Sequence, residues 1–261
     1  MQAEVAGLER PARPSLDFRV VTCDASRFSE ALPELLSRAG FEPGFYGLAL
    51  VKPNVCGLYH PRLSIVERVL RFLEPRARRI VIGETNSMVN APEAQFRRLG
   101  IYEMLKGFGE GVEALNLMEG DILDVEVPSP HALGRLPLPE AAVKCDLLVN
   151  IPRIGTHHDT MLTCALKNLF GLLAERRKYG VYHPLGVDRV IADVAKVVRC
   201  DLSIVDAGSD IIVGVDPLAV DILACEYAEL DPLEGGHLRL VARDRGLRLE
   251  DAVDRLQILK A

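Results

Sequence analysis

The sequence predicts an α/β domain with a doubly wound, mainly parallel sheet and helices on both faces. Three observations lead there. Short apolar runs rich in β-branched residues recur along the chain, and each is followed by a stretch with helical periodicity. With 261 residues and 49% hydrophobic content, the chain can bury a large core. No apolar run reaches the roughly 18 residues needed to cross a bilayer.

Six runs read as strands: FRVVTC (18–23), YGLALV (46–51), RIVIGE (79–84), VEALNL (112–117), DLLVNI (146–151) and LSIVDA (202–207). The segments between them have apolar residues at helical spacing: FSEALPELLSRAG, RLSIVERVLRFLE, APEAQFRRLGIYEMLKGF, TMLTCALKNLFGLLAE, VDRVIADVAKVV and DPLAVDILACEYAEL. The tail LEDAVDRLQILK also reads as a helix. Residues 121–140 break the rhythm with prolines and short alternating stretches, which predicts a β excursion or a lid. Residues 1–15 form an N-terminal arm, and residues 16–261 form one domain.

Composition narrows the function. A net charge of -6 lacks the basic footprint of a nucleic-acid binder. The N-terminus has no secretory pattern, so the chain reads as cytoplasmic and without a membrane role. The six cysteines, Cys23, Cys56, Cys145, Cys164, Cys200 and Cys225, contain no Cys-x-x-Cys. That spacing argues against a ferredoxin-type cluster loop or a zinc ribbon within the chain. P-loop, dinucleotide-fingerprint and nucleophile-elbow signatures are absent too.

In an open α/β sheet, ligands bind beyond the carboxyl ends of the strands, where loops diverge and helix N-termini present free N–H groups. Polar residues gather at those ends here. Lys52-Pro53-Asn54 follows one strand, Glu84-Thr85-Asn86-Ser87 another, and Asp206 closes a third. Asn150 leads into Arg153, His157 and His158. Taken singly, Asn86, Ser87, Thr160 and Asp216 are ordinary caps and turn formers, and Lys52 could simply pair with Glu84.

Lysine is scarce, 7 residues against 24 arginines, so Lys52, Lys167 and Lys178 stand out in polar segments. Lys167 and Asn168 emerge from a mostly apolar helix, where an unpartnered ammonium is costly. His157 and His158 are adjacent and point to opposite sides of an extended segment. One of them can act as an acid or base near neutral pH. A metal site from either histidine with His183 and a carboxylate such as Glu84 is conceivable, although no local ligand motif supports it.

The segments VKPNVCG, VNIPRIGTHHDTMLTCALKNLFG, KYGVYH, SIVDAG and VGVDPLAVD together resemble the domain of unknown function 362 family, from about residue 45 to the end. Many relatives carry a ferredoxin-like module with iron–sulfur clusters, so the resemblance implies a redox setting. This chain lacks that module, and an electron-transfer role would need a ferredoxin-like partner to supply the centre. The Thr156-His157 pair is also similar to the nickel-pincer lactate racemase family, but two residues are too few to bring its cofactor along.

These readings converge on an enzyme for a small anionic metabolite, a carboxylate or phosphate. Lys52, Asn54, Asn150, Arg153, Asn168, Lys178 and Asp206 are expected to bind it, and His157, His158, Glu84 and Lys167 to carry the chemistry. Lys52, Glu84, Arg153 and Lys167 are expected to face one cleft. The rival is a binding or electron-transfer accessory protein holding a metal ion or an iron–sulfur centre, to which Cys56 or Cys164 would contribute.

Overall fold

Alternation along the apolar runs sets the sheet. In Ala49-Leu50-Val51 the outer two side chains enter one buried cluster and Leu50 enters another, and Ile80-Val81-Ile82 and Leu147-Leu148-Val149 repeat the pattern. A strand that is apolar on both sides must be covered on both faces. The computed structural model describes residues 17–261, so the expected N-terminal arm lies outside the described residues.

The strands are β1 (Arg19–Asp24), β2 (Tyr46–Pro53), β3 (Ala77–Glu84), β4 (Val112–Asn116), β5 (Ile122–Glu126), β6 (Arg135–Pro139), β7 (Leu147–Ile151), β8 (Gly155–His157), β9 (Met161–Thr163), β10 (Leu202–Asp206), β11 (Asp210–Gly214) and β12 (Gln257–Lys260). The helices are α1 (Phe28–Arg38), α2 (Leu63–Leu73), α3 (Pro92–Arg98), α4 (Ile101–Leu105), α5 (Glu140–Lys144), α6 (Ala165–Phe170), α7 (Lys178–Tyr182), α8 (Val187–Val197), α9 (Pro217–Tyr227), α10 (Gly236–Asp244) and α11 (Leu249–Asp254).

Eight strands form the main sheet in the order β12-β1-β11-β10-β7-β2-β3-β4. Its pairings are parallel except for the two that β11 makes with β1 and β10. Helices α1 to α4 cover one face and α5, α6 and α8 to α11 the other. All six expected strands are present. The chain leaves β2 through α2 toward β3 and β4, but leaves β7 in the opposite direction toward β10. The boundary between β2 and β7 is therefore the topological switch point, where flanking loops part and open a crevice.

Three segments differ from expectation. The long helix expected over 91–108 divides into α3 and α4 because Gly100 takes a left-handed φ of 77°, which ends the first helix. The helix expected from about Thr160 starts only at Ala165. Met161 has a φ of 62°, and Met161–Thr163 pairs with Gly155–His157 as a hairpin. Helix α6 then begins where the buried Asp221 carboxylate accepts the N–H groups of Ala165 and Leu166 at 2.6 and 2.9 Å.

The C-terminal helix gives way after α11 to β12, which pairs in parallel with β1 and packs Leu259 against the core. The proline-rich excursion is an antiparallel ribbon of β5 and β6. It buries Leu136 and Leu138 on one face of the molecule, and Asp193 of α8 accepts the N–H groups of His131, Ala132 and Leu133 in its turn. It is a packed β excursion that buries its own apolar side chains. Helix α10 and strand β11 had no counterpart in the sequence reading.

Candidate functional site at the switch point

Lys52 of β2 and Asn150 of β7 are register partners across the switch point. Lys52 is 1% exposed and Glu84, at the end of β3, is 3% exposed. The Lys52 ammonium lies 2.9 and 3.0 Å from the two Glu84 oxygens and donates to Asn168 Oδ1 at 3.0 Å. Asn168 Nδ2 donates to the Lys52 carbonyl at 3.1 Å and to Asn150 Oδ1 at 2.7 Å, while Asn150 Nδ2 donates to the Ala165 carbonyl at 3.0 Å. Glu84 also accepts the N–H groups of Val55 and Thr85.

Every polar atom in this layer is committed. A buried ion pair persists only when its remaining lone pairs and protons find partners, and here they do. Lys52, Glu84, Asn150 and Asn168 thus form the floor of the edge, tying β2, β3, β7 and α6 together. The structure brings these four expected site residues together, bonded to one another.

Lys178 of α7 lies above this floor. Its ammonium donates to Thr85 Oγ1 at 2.6 Å and to the Asn86 carbonyl at 2.7 Å. Burial lowers its pKa to about 8, although the Glu84 carboxylate opposes the shift. The Thr85 hydroxyl donates to the Gly171 carbonyl. Lys167 is half-buried and donates to Thr160 Oγ1 at 2.9 Å. Burial also brings its pKa to about 8, against the pull of Asp159 and Asp188. Among the described residues, neither ammonium has a carboxylate within hydrogen-bond distance.

A third group surrounds the β8–β9 hairpin. His183 Nδ1 is 2.9 Å from Asp159 Oδ2, His157 Nδ1 is 3.9 Å from the same oxygen, and the Asp159 N–H donates to His157 Nδ1 at 3.1 Å. Tyr179 stacks on His183 with ring centroids 4.0 Å apart. Burial depresses the pKa of His157, reinforced by the Lys167 charge, and burial likewise depresses that of His183. The His158 hydrogen bond lowers the Asp159 pKa. His158 itself is 97% exposed and lies in the turn, with its Nδ1 3.1 Å from Asp159 Oδ1.

The remaining expected ligands lie elsewhere. Asp206 is held bidentately by Arg62, at 3.0 Å from Nε and 2.7 Å from Nη2. Burial raises its pKa, but the Arg62 bonds outweigh this and keep the carboxyl below its usual range. Arg153 is exposed and meets Asp206 only through a backbone bridge. Asn54 Oδ1 accepts the Gly57 N–H and shapes the turn after β2. The four residues expected to share one cleft are therefore split: Lys52 and Glu84 in the buried floor, Lys167 against the hairpin, and Arg153 at an exposed strand end.

Cys56 is buried near the floor, and burial, with the Glu84 charge, pushes its thiol up to about 12. Cys164 is buried against Asp221. The rim is apolar and exposed at Leu58, Met88, Val89 and Tyr179. The Asn90 side chain bonds the Cys56 carbonyl and so joins the two rim loops. A cavity of about 600 Å³ lies at the opposite, amino edge, among Phe41, Tyr46, Asp146 and Arg199.

Two residues beside the histidines were not among the expected site residues. Asp159, not Glu84, is the carboxylate beside His157 and His183, and Tyr179 packs on the latter. The motif KYGVYH marked His183, but only the folded chain shows which acid it meets.

A family model described as Domain of unknown function (DUF362) matches residues 49–226, a span containing every residue of the floor and the hairpin, with Lys167 and Lys178. Among curated proteins the chain is similar to the Thylakoid-associated protein sll1697 of Synechocystis sp., 26% identical over 122 residues that cover 39% of this chain and 38% of that protein. The chain thus spans well under half the length of that relative. Among solved structures it resembles the lactate racemase apoprotein of Thermoanaerobacterium thermosaccharolyticum, with a TM-score of 0.52 and 14% identity over 79% of this chain and 56% of that one. At that identity the likeness is one of α/β fold. No helix among the described residues is long and apolar enough to cross a membrane. By the extent of the family match, this chain belongs to the Domain of unknown function (DUF362) family.

Proposed function

We propose that this protein is an enzyme that binds a small anionic metabolite, a carboxylate or phosphate, at the carboxyl edge of its sheet. One observation carries the reading: the ammonium groups of Lys178, beside the end of β3, and of Lys167, beside the β8–β9 hairpin, are bonded to neutral oxygens of Thr85, Asn86 and Thr160. Partly desolvated cations without an adjacent carboxylate gain most from an incoming anion, because a charge-assisted bond replaces a weaker neutral one.

His157 supports the chemical half of the reading. Its imidazole sits within the field of Lys167 and its pKa is depressed by burial, which keeps it neutral and able to accept a proton near pH 7. An iron–sulfur centre shared with a ferredoxin-like partner has less support. Such centres need several thiolates, whereas burial holds the thiols of Cys56, Cys200 and Cys225 at about 12.

Calorimetric titration with a panel of small carboxylates and phosphates, on protein treated with chelator, tests the proposal. At least one anion is expected to bind, and Lys178→Met and Lys167→Met should each weaken it by about tenfold or more, the worth of one charged hydrogen bond. Unchanged affinity in both folded variants would refute the reading.

A further inference from the structure

We infer that His157, Asp159 and His183 form a binding site for a first-row divalent transition metal ion of the zinc class. One ligand atom from each of the three lies within 4.8 Å of the others. Two imidazoles and one carboxylate are the donor set that such ions select, and three protein ligands leave a coordination position open.

The local backbone explains why these residues meet. The left-handed turn at Met161 folds β9 back on β8, which puts Asp159 at the hairpin tip, two residues after His157. Helix α7 and the turn after it then bring His183 to the same carboxylate, at 2.9 Å. Thr160, the next residue of the tip, accepts from Lys167 at 2.9 Å and so ties the hairpin to α6. Tyr179, stacked at 4.0 Å, fixes the His183 ring plane.

The hydrogen bonds at the site fit its loading. His183 Nδ1 and Asp159 Oδ2 share a proton that a metal ion would displace. His157 Nδ1 would exchange the Asp159 N–H, now 3.1 Å away, for the ion. Metal ligands must be deprotonated, so loading releases protons. Asp159 supplies one negative charge against the two positive charges of the ion, and Lys167 nearby adds a third. The open position is thus suited to an anionic fourth ligand. The site itself stands independently of the anion-binding proposal, because each is tested without the other's ligand.

The test uses full-length protein, stripped with chelator and dialysed, titrated with Co2+ or Zn2+ in a buffer free of coordinating anions. Binding of one ion is expected, with Co2+ ligand-field bands of a four- or five-coordinate centre. His157→Gln, Asp159→Asn and His183→Gln should each weaken binding by about tenfold or more, a loss at least as large as that from removing an outer-shell partner. His131→Gln, on the β5–β6 turn and bonded to Asp244 instead, should leave affinity unchanged.

Imidazole nitrogen resonances of the unmutated protein give a second readout that needs no variant to fold. On adding Zn2+, those of His157 and His183 should shift and those of His60, His131 and His237, which have other partners, should not. Absent binding, binding indifferent to all three substitutions, or a shift confined to other histidines would overturn the inference. Loss of anion binding with metal binding intact would sink only the proposed function.

Discussion

Lys52 shows what a single side chain can be asked to do. With Glu84 as its salt-bridge partner and both nearly inaccessible, its charge supports the fold beneath the site. Removing one member of a buried pair strands the other, so Lys52→Met should cost about 3–5 kcal/mol in urea unfolding. The double variant Lys52→Met/Glu84→Gln should recover part of that loss. Lys178 gives a second residue-scale prediction, now in pH. Its pKa falls from 10.5 to about 8 on folding, so between those values the unfolded chain holds more protons than the folded one. Stability carried by this group must therefore rise with pH through that window, at up to about 1 kcal/mol per pH unit. Lys178→Met should lack that rise when unfolding is followed from pH 7 to 10. The residues most readable from the sequence were those whose type is costly where it stands: a lysine after an apolar strand, or two histidines beside a buried run. Their partners were not readable. Asp159 looks like any turn aspartate until His183 arrives beside it.

At the scale of the element, α6 is the component that the sequence reading placed least well and that the site depends on most. Helical periodicity from Thr160 onward was real as a pattern of apolar spacing, but β9 took the first part of it. A pattern of burial cannot distinguish a short buried strand from the first turn of a helix, and the Asp221 bonds that fix the true start come from 55 and 56 residues away. The other end of α6 is as constrained. At Gly171 a Cβ would lie 2.9 Å from the Asn168 carbonyl and 3.0 Å from Lys52 Nζ. Gly171→Ala should therefore destabilise by about 1–3 kcal/mol, as overpacked sites do, and displace the Lys52 ammonium from Asn168. A thermal melt measures the first effect and a crystal structure of the variant the second. The strands fared better because alternation between two apolar faces leaves few other solutions, and β12 was missed because each of its faces mixes one polar with one apolar residue and its pairing partner is the first strand.

For the molecule as a whole, fold class was legible and strand order was not. Six βα units imply a parallel sheet, but nothing in their sequence says that β7 inserts beside β2, and that adjacency creates the switch point. The same ignorance explains why a single cleft was expected where the structure has a buried floor, with Lys178 beside it and Lys167 on the hairpin. Hydrogen exchange should show where a ligand acts. With the tightest-binding anion, protection should rise in residues 54–60, 85–90 and 174–183 and stay unchanged around the amino-edge cavity at Phe41, Tyr46 and Asp146. Protection at the cavity alone would move the site to the other end of the sheet.

The ion pair beneath the edge also bears on how the chain is made. Lys52 finds Glu84 after 32 further residues, but the asparagine that completes its coordination lies 116 residues downstream. During synthesis the first three parallel strands leave the ribosome well before Asn168, and for that interval the ammonium has no amide to take its last proton. Water must serve instead, so the nascent sheet stays hydrated at its centre. Closure of that seam is then a late event with a large loop to order, and folding intermediates of this protein should carry a wet lysine where the finished molecule has a dry one.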